Sequence, residues 1–366
     1  MAWQDAIIDN GVSDWRIGQV EYVKNAWYVA GWASEFGDEL RRVLILEENL
    51  LMFRATTGQV IALEDRCPHR QLPLSMGKRI GDEVQCGYHG MNFDCTGKCG
   101  RVPGQAGVPA QAVVESYQIH EKHGIVWVWM GDQEKADPND VFDMAELQDP
   151  QWCAHQGDQL YLKSNYLNVA ENLVDPAHVS FVHSTTLGSP ASEDVPVQFD
   201  TKADPLVAWR WIRNAPPVGF FQEFGGFTGN VDRWHYYYLH TPCTAVIDFG
   251  SADSSLALSD EDRDQGVRIF ALHFMTPLDA EHTIDRWMHV RNTAIGDNAV
   301  SKKMDELFRI AFGEDKIILE AVQVEENRPS KRPPVRIGID KAPNVYRRRI
   351  ERLIAAEQKT ERIAAQ

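Results

Sequence analysis

The chain changes its hydrophobic rhythm about a third of the way along. Between Trp27 and Met130 the apolar residues come in short β-branched and aromatic runs, "VLILEE", "LLMFRAT", "VIALED" and "GIVWVWM", with "ENL" and "TGQ" as the predicted turns. Six glycines lie between Gly77 and Gly107, a density that suits tight loops in a small all-β unit. The polar, proline-bearing stretch "GDQEKADPND" then breaks the pattern and marks a boundary. Beyond it the runs lengthen. A strand near 158–166 is predicted to lead into a helical stretch from about Leu167. Further strands are predicted over Val195–Asp200, Val207–Ile212, Trp234–His240, Thr244–Phe249, Val267–Thr276 and Thr283–Arg291. A helical period takes over at "NAVSKKMDELFRIAF", from Asn298, and returns in "NVYRRRIERLIAAEQ". The expected organisation is α+β: an N-terminal extension over 1–21, a small all-β domain over 22–135, and over 136–366 an antiparallel sheet with packed helices.

Composition narrows the function classes. With 366 residues, 43% apolar and 25% charged, the chain suits two globular domains with a sizeable core. A net charge of −16 argues against a nucleic-acid-binding surface. The charge is uneven, because residues 328–366 hold eleven Lys/Arg against four Asp/Glu. That basic tail reads as a solvated helix face, or as a surface for RNA or an acidic protein. The start, "MAWQDAIIDNGVSDW", lacks a basic-then-apolar leader pattern, and the longest apolar runs, such as Ile125–Met130, are too short to span a bilayer. No membrane association and a cytoplasmic location are therefore expected. Six cysteines in this length do not suggest a disulfide scaffold, so clustered Cys and His are expected to bind metal.

Two such clusters stand out. Cys67-x-His69, sixteen residues, then Cys86-x-x-His89 places one thiol and one imidazole on each of two loops. A structural zinc takes two Cys and two His. A Rieske [2Fe–2S] cluster instead sets two thiolates on one iron and two imidazoles on the other. Zinc limbs usually keep the cysteines together, whereas here both limbs are mixed, with Pro68, Gly87 and Gly90 leaving room for backbone N–H groups. "CPHRQLPLSMG" and "CGYHGMNFDCTGKC" resemble the two cluster loops of the Rieske family. Cys95, Cys99, Cys153 and Cys243 fall outside the pattern and read as packing residues.

The second cluster lies in "NVAENLVDPAHVSFVHST", with Asn172, Asp175, His178 and His183. Two His plus a carboxylate with open positions is the set that activates O₂ at non-haem Fe(II). On a straight helix two residues five apart diverge by about 140°. His178 and His183 can therefore share an ion only if the helix bulges or ends near Ser180–Val182. Asp305, Glu306, Glu314, Asp315 and Glu320 are all open as the missing carboxylate.

Together with the preceding Rieske motif, this pattern resembles the Rieske non-haem iron oxygenases, and the likeness runs from "VKNAWYVAGWASEF" to the closing helix. It is nearest the branch of vanillate O-demethylase and dicamba monooxygenase. The resemblance implies a helix-grip-like catalytic domain, a Rieske [2Fe–2S] cluster on Cys67, His69, Cys86 and His89, and a mononuclear Fe(II) on His178 and His183. In "FGEDKIILEAVQ" it selects Asp315 as the third ligand. It implies that Asp175 links His178 to His89 of the next chain in a homotrimer, and that Asn172 lies near the iron. It also implies an external NAD(P)H reductase with flavin and a ferredoxin-type cluster, which agrees with the lack of a GxGxxG motif here.

The expected reaction is monooxygenation of a methoxy or methyl group on a small aromatic acid, with O₂ as co-substrate. Ring dihydroxylation to a cis-diol is the alternative enzyme reading, and a Rieske electron-transfer or sensing protein the alternative outside enzymes. Pocket walls are expected from "RWHYYYLHTPCTAVIDFG" and "IFALHFMTP", with His273 and Asp248 as substrate contacts: His273 for a carboxylate, Asp248 for a phenolic hydroxyl.

Overall fold

The computed structural model describes residues 21–184, 186–330 and 332–364, so the predicted extension lies outside the described residues but for Glu21. Ten short strands form the first part: β1 (Trp27–Trp32), β2 (Arg41–Ile45), β3 (Glu48–Arg54), β4 (Val60–Glu64), β5 (Lys78–Ile80), β6 (Glu83–Gln85), β7 (Asn92–Phe93), β8 (Cys99–Arg101), β9 (Ile119–Lys122) and β10 (Ile125–Trp129). They make three antiparallel sheets, ordered β1-β10-β9, β2-β3-β4 and β5-β6-β7-β8. The first hairpin departs from the predicted turn at "ENL". It turns instead at Leu46 and Glu47, both left-handed with φ of 50° and 67°. Neither residue favours that conformation, but a two-residue hairpin demands it. Tertiary contact compensates: their amides donate to Pro277 O and Leu278 O, and Leu46 is buried.

The second part contains β11 (Cys153–Leu162), α1 (Tyr166–Asn172), α2 (Val179–Val182), β12 (Gln198–Asp200), β13 (Leu206–Ala215), α3 (Gly219–Gly225), β14 (Val231–His240), β15 (Thr244–Asp253), β16 (Val267–Asp279), β17 (His282–Arg291), α4 (Asn298–Glu326) and α5 (Lys341–Ala364). All the strands join one antiparallel sheet, ordered β11-β17-β16-β15-β14-β13-β12. Strands 12 to 17 are a meander, and β11 closes the far edge against β17. β11 starts and ends earlier than the sequence suggests, because its outward side chains on this edge are polar and exposed and carry little hydrophobic signal.

Alternation along these strands assigns two faces. Val246, Phe270, Leu272, Phe274, Met288 and Val290 point one way, into a cluster with Trp27, Trp127 and Trp129 of the first sheet. Ala245, Ile247, Phe249, Ala271 and Trp287 point the other way, toward Met304, Phe308 and Phe312 of α4. Each Val, Leu, Ile, Phe or Met among them, fully buried, contributes roughly 1.5–3 kcal/mol. α4 is capped by the Asp297 carboxylate on the Ala299 and Val300 amides. It buries Met304, Phe308, Ala311, Phe312, Asp315 and Leu319, which share one stripe at helical spacing. The N-terminal sheets and α4 therefore clamp the large sheet from opposite sides, and Thr276 Oγ1 donates to Val29 O at 2.7 Å across the first of these contacts.

The basic tail is partly consumed by the fold. Arg347 on α5 pairs with Glu171, and Arg349 donates to the carbonyls of Thr201 and Ala203.

Candidate metal centres and cavity

The two Cys/His loops lie between β4 and β5 and between β6 and β7, and they have the same backbone design. Cys67 N donates to Leu72 O while Gln71 N returns to Cys67 O; Cys86 N donates to Met91 O while Gly90 N returns to Cys86 O. The fourth residue after each cysteine is left-handed, Gln71 at φ 59° and Gly90 at φ 72°. The loops close together at Gly77, where a Cβ would come within 2.2 Å of Gln85 O. Both thiols are buried and both imidazoles exposed. The rings of His69 and His89 lie 4.5 Å apart, and Tyr88 lies against His89 at 3.9 Å. Burial pushes the Cys67 thiol up, against the backbone N–H groups of His69 and Arg70 and beside Cys86. Two converging thiols within reach of backbone donors, with two adjacent imidazoles toward solvent, fit a [2Fe–2S] cluster with Cys₂ and His₂ sides.

The second centre is assembled by α2 and α4. α1, capped by Asn165 Oδ1 on Leu167 N, ends at Asn172, and α2 is a single turn that starts after His178 and stops before His183. The predicted interruption is thus a pair of helix ends flanking Val179–Val182. The chain then doubles back, with the amides of Thr186, Leu187 and Gly188 all donating to His183 O. A Cβ at Gly188 would meet Val179 O at 2.3 Å, so only glycine permits this return.

Asp315 on α4 completes the cluster. Its Oδ1 is 3.5 Å from His178 Nε2 and its Oδ2 3.3 Å from His183 Nε2. One ligand atom from each of the three residues lies within 4.8 Å of the others. Those separations suit atoms sharing one ion at about 2 Å each. The outer nitrogens are engaged differently. His183 Nδ1 meets Glu314 Oε2 at 2.8 Å, whereas His178 Nδ1 is buried without a hydrogen bond and has Asp175 Oδ2 at 4.0 Å. Asn172 Nδ2 donates to Asp315 Oδ1 at 3.1 Å.

Burial opposes charge throughout, and the balance differs by residue. It lowers His178 against the pull of Asp315 and Asp175. It would lower His183 as well, but Asp315 and Glu314 at hydrogen-bond distance outweigh it and raise that ring. Burial raises Asp175. Asp315 is held down against burial by His183, His178 and Asn172. A dication among these groups would supply the missing positive charge, and the donor set is the two-His, one-carboxylate arrangement with open positions.

Of the other carboxylates considered, Glu314 supports His183 from outside the cluster. Asp305 accepts from Trp287 Nε1 and Arg309, and Glu320 accepts from Lys163 N.

A cavity of about 50 Å³ adjoins the cluster, lined by the three residues together with Leu187, Phe221, His235, Tyr237, Ile247, Phe249, Ala271, His273, Phe308 and Phe312. An engineered cavity that holds benzene measures about 150 Å³, so these side chains must shift to admit an aromatic ring. Leu187 and Phe308 also wall a neighbouring cavity of about 220 Å³ under α3, which is where the room lies.

His273 lies on this wall. Its Nδ1 meets Asp285 Oδ2 at 2.7 Å, and its Nε2 is buried without a partner. Asp248 does not face the cavity, which corrects its expected role as a substrate contact. Its neighbours Ile247 and Phe249 line the wall, so alternation turns Asp248 to the opposite face. There it is fully buried and accepts from Trp234 Nε1 and Arg268, with Arg263 at 3.0 Å. Asp285 and His235 escaped the sequence reading, and Glu314 entered it only as a candidate ligand. "GED" did contain Glu314 next to Asp315, but only the helix orientation separates their tasks.

A double Cys/His loop followed by a sheet, a long helix and a buried two-His, one-carboxylate cluster defines an iron–sulfur oxygenase with a second, mononuclear metal centre. Residues 26–118 match the Rieske [2Fe-2S] domain, and residues 162–356 match the vanillate O-demethylase oxygenase C-terminal domain. The chain belongs to this family of Rieske non-haem iron oxygenase components.

It is 34% identical to the iron-sulfur subunit of the toluene-4-sulfonate monooxygenase system of Comamonas testosteroni, over 92% of this chain and 98% of that one. It is 30% identical to the vanillate O-demethylase oxygenase subunit of a Pseudomonas species, over 92% and 96%. The crystal structure of dicamba monooxygenase bound to 3,6-dichlorosalicylic acid superposes with a TM-score of 0.82 at 28% identity, covering 93% of this chain and 99% of that one. The protein is thus an oxidoreductase with a Rieske cluster and a non-haem iron centre. Among the described residues no helix is long and apolar enough to cross a membrane.

Proposed function

We propose that the protein oxidises an aromatic acid by inserting one oxygen atom into a methoxy group, releasing a phenol and formaldehyde, or into an aryl methyl group. In this reading Cys67, His69, Cys86 and His89 hold the [2Fe–2S] cluster, and His178, His183 and Asp315 hold the iron. Bound there, the two centres supply stored electrons and O₂ activation. The remaining residues position and insulate. Glu314 fixes the His183 ring so that Nε2 faces inward, and Asn172 restrains Asp315. Leu187, Phe221, Phe308 and Phe312 exclude water and grip the ring. Asp285 orients the His273 ring through Nδ1, leaving Nε2 for a substrate hydroxyl rather than for the carboxylate expected of it.

Asp175 beside the unpartnered His178 Nδ1 supports a link outward to His89 of the partner subunit, in a homotrimer. Exposed Phe181, Ile317 and Ile318 beside the iron loop, and exposed Met76 and Tyr88 beside the cluster loops, give such an assembly two apolar patches to cover. Electrons come from a separate NAD(P)H reductase with flavin and a ferredoxin-type cluster.

The observation that carries the reading is the convergence of three ligand atoms at the wall of an apolar cavity. Its test follows O₂ uptake and formaldehyde together in iron-replete protein with a surrogate reductase and NADH, over methoxybenzoates, methylbenzoates and toluene-4-sulfonate. Formaldehyde equal to O₂ consumed on a methoxyarene is the expected result. A benzylic alcohol would select methyl hydroxylation, and a cis-diol would overturn monooxygenation.

A further inference from the structure

The cavity face of the sheet carries two buried guanidinium groups that, among the described residues, form no ion pair with a carboxylate. Arg210 of β13 lies opposite His235 of β14, and Arg233 of β14 lies opposite Ser251 of β15. The arginines are 1% and 0% exposed, and among the described residues neither makes an ion pair; Asp175 acts on Arg210 from a longer distance, whereas no carboxylate offsets Arg233. Among the described residues their hydrogen bonds run only to the iron-site loop: Arg210 to Ser192 O and Ser180 Oγ, Arg233 to Ser189 Oγ. Arg210 Nε, Arg233 Nε and Nη1, His235 Nδ1 and Ser251 Oγ remain buried with no partner among the described residues.

Burying a charge without a counter-ion is unfavourable, and two neighbouring like charges make it more so. Burial and Arg210 together bring Arg233 down to about 10, which still leaves it charged near neutral pH. Burial and both arginines push His235 well below its ordinary range. This patch is continuous with the cavity: His235 and Phe249 line the wall, and Arg233 and Ser251 are the next residues on the same face, about 7 Å further along. It is short of one negative charge and rich in donors.

We infer that Arg233, with Ser251 and His235 beside it, is an anion subsite that takes the carboxylate or sulfonate of the aromatic substrate and sets which ring position faces the iron ligands. This rests on the aromatic-acid reading above. His273, at the opposite end of the wall, is left for a ring hydroxyl.

The test uses iron-replete full-length protein and matched probes: benzoate against benzamide, and toluene-4-sulfonate against the corresponding sulfonamide. Ligand-induced rise in Tm and Kd by calorimetry are measured for the native protein, Arg233→Gln, Arg233→Lys and Ser251→Asp. Acids are expected to bind the native protein at least about tenfold more tightly than amides, as charge-assisted hydrogen bonds warrant. Arg233→Gln should abolish that preference and Arg233→Lys should keep part of it.

Ser251→Asp supplies an internal counter-ion. It should raise Tm without ligand and remove the acid preference, so it decides the matter even if Arg233→Gln does not fold. A native preference for acids that survives both Arg233→Gln and Ser251→Asp overturns the subsite and leaves the aromatic-acid reading standing. No acid preference in the native protein overturns that reading itself.

Discussion

Replacing Asp248 with alanine tests the assignment of the two sheet faces. The carboxylate is fully buried and accepts from Arg268 Nε at 3.0 Å and Nη2 at 2.6 Å and from Trp234 Nε1 at 3.0 Å, while Arg263 Nη1 lies 3.0 Å away. Removing one partner of a buried ion pair costs about 3–5 kcal/mol, because the other charge stays behind. An orphaned indole N–H adds about 1 kcal/mol. The arginine side chains remain 11% and 13% exposed, so water can reach them in part. The expected loss for Asp248→Ala is therefore about 3–4 kcal/mol, and roughly half that for Asp248→Asn, whose amide oxygen still accepts. Urea titration followed by far-ultraviolet circular dichroism measures the shift in midpoint. Iron content and substrate KM should stay at native values, because the group lies behind the sheet. A loss below about 1 kcal/mol, or a tenfold rise in KM with stability intact, would refute the reasoning.

Glu314→Ala should weaken iron retention about 10- to 100-fold, measured as iron per chain after dialysis against a graded chelator, since it removes the acceptor that fixes the His183 ring. Gly77→Ala should fold its C-terminal part but lose the visible absorption of the cluster, because the new Cβ collides with Gln85 O at 2.2 Å and forces the two loops apart. His289 is buried, with its pKa lowered from 6.5 to about 3 by desolvation, His155 and Arg291. The unfolded chain therefore binds one more proton between those values, and stability should fall as pH drops through that window by about 1.4 kcal/mol per unit. His289→Asn should flatten that slope, read from denaturation midpoints between pH 6.5 and 5.

Much of this protein was legible in sequence because its chemistry sits in local patterns. Cys67, His69, Cys86 and His89 are hooks whose turns close within five residues, so spacing alone shows the two loops. The His178–His183 separation required a helix break, and α2 is a single turn between them. Long strands and the α4 stripe follow from period, which backbone geometry imposes on any chain. What only the tertiary structure decided is which side of each element meets which partner. Asp248 and Phe249 are adjacent in sequence, yet one joins arginines behind the sheet and the other lines the cavity. The turn at Leu46–Glu47 exists because β16 offers carbonyls to it. Glu314 and Asp315 are neighbours on α4, but one braces His183 from outside while the other meets both imidazoles. The arginines at 210 and 233 look like ordinary strand cations until the sheet buries them, among the described residues, without an ion pair. Charge and spacing are properties of the chain, whereas burial and pairing belong to the packed whole, and the electrostatics of this site depend on burial.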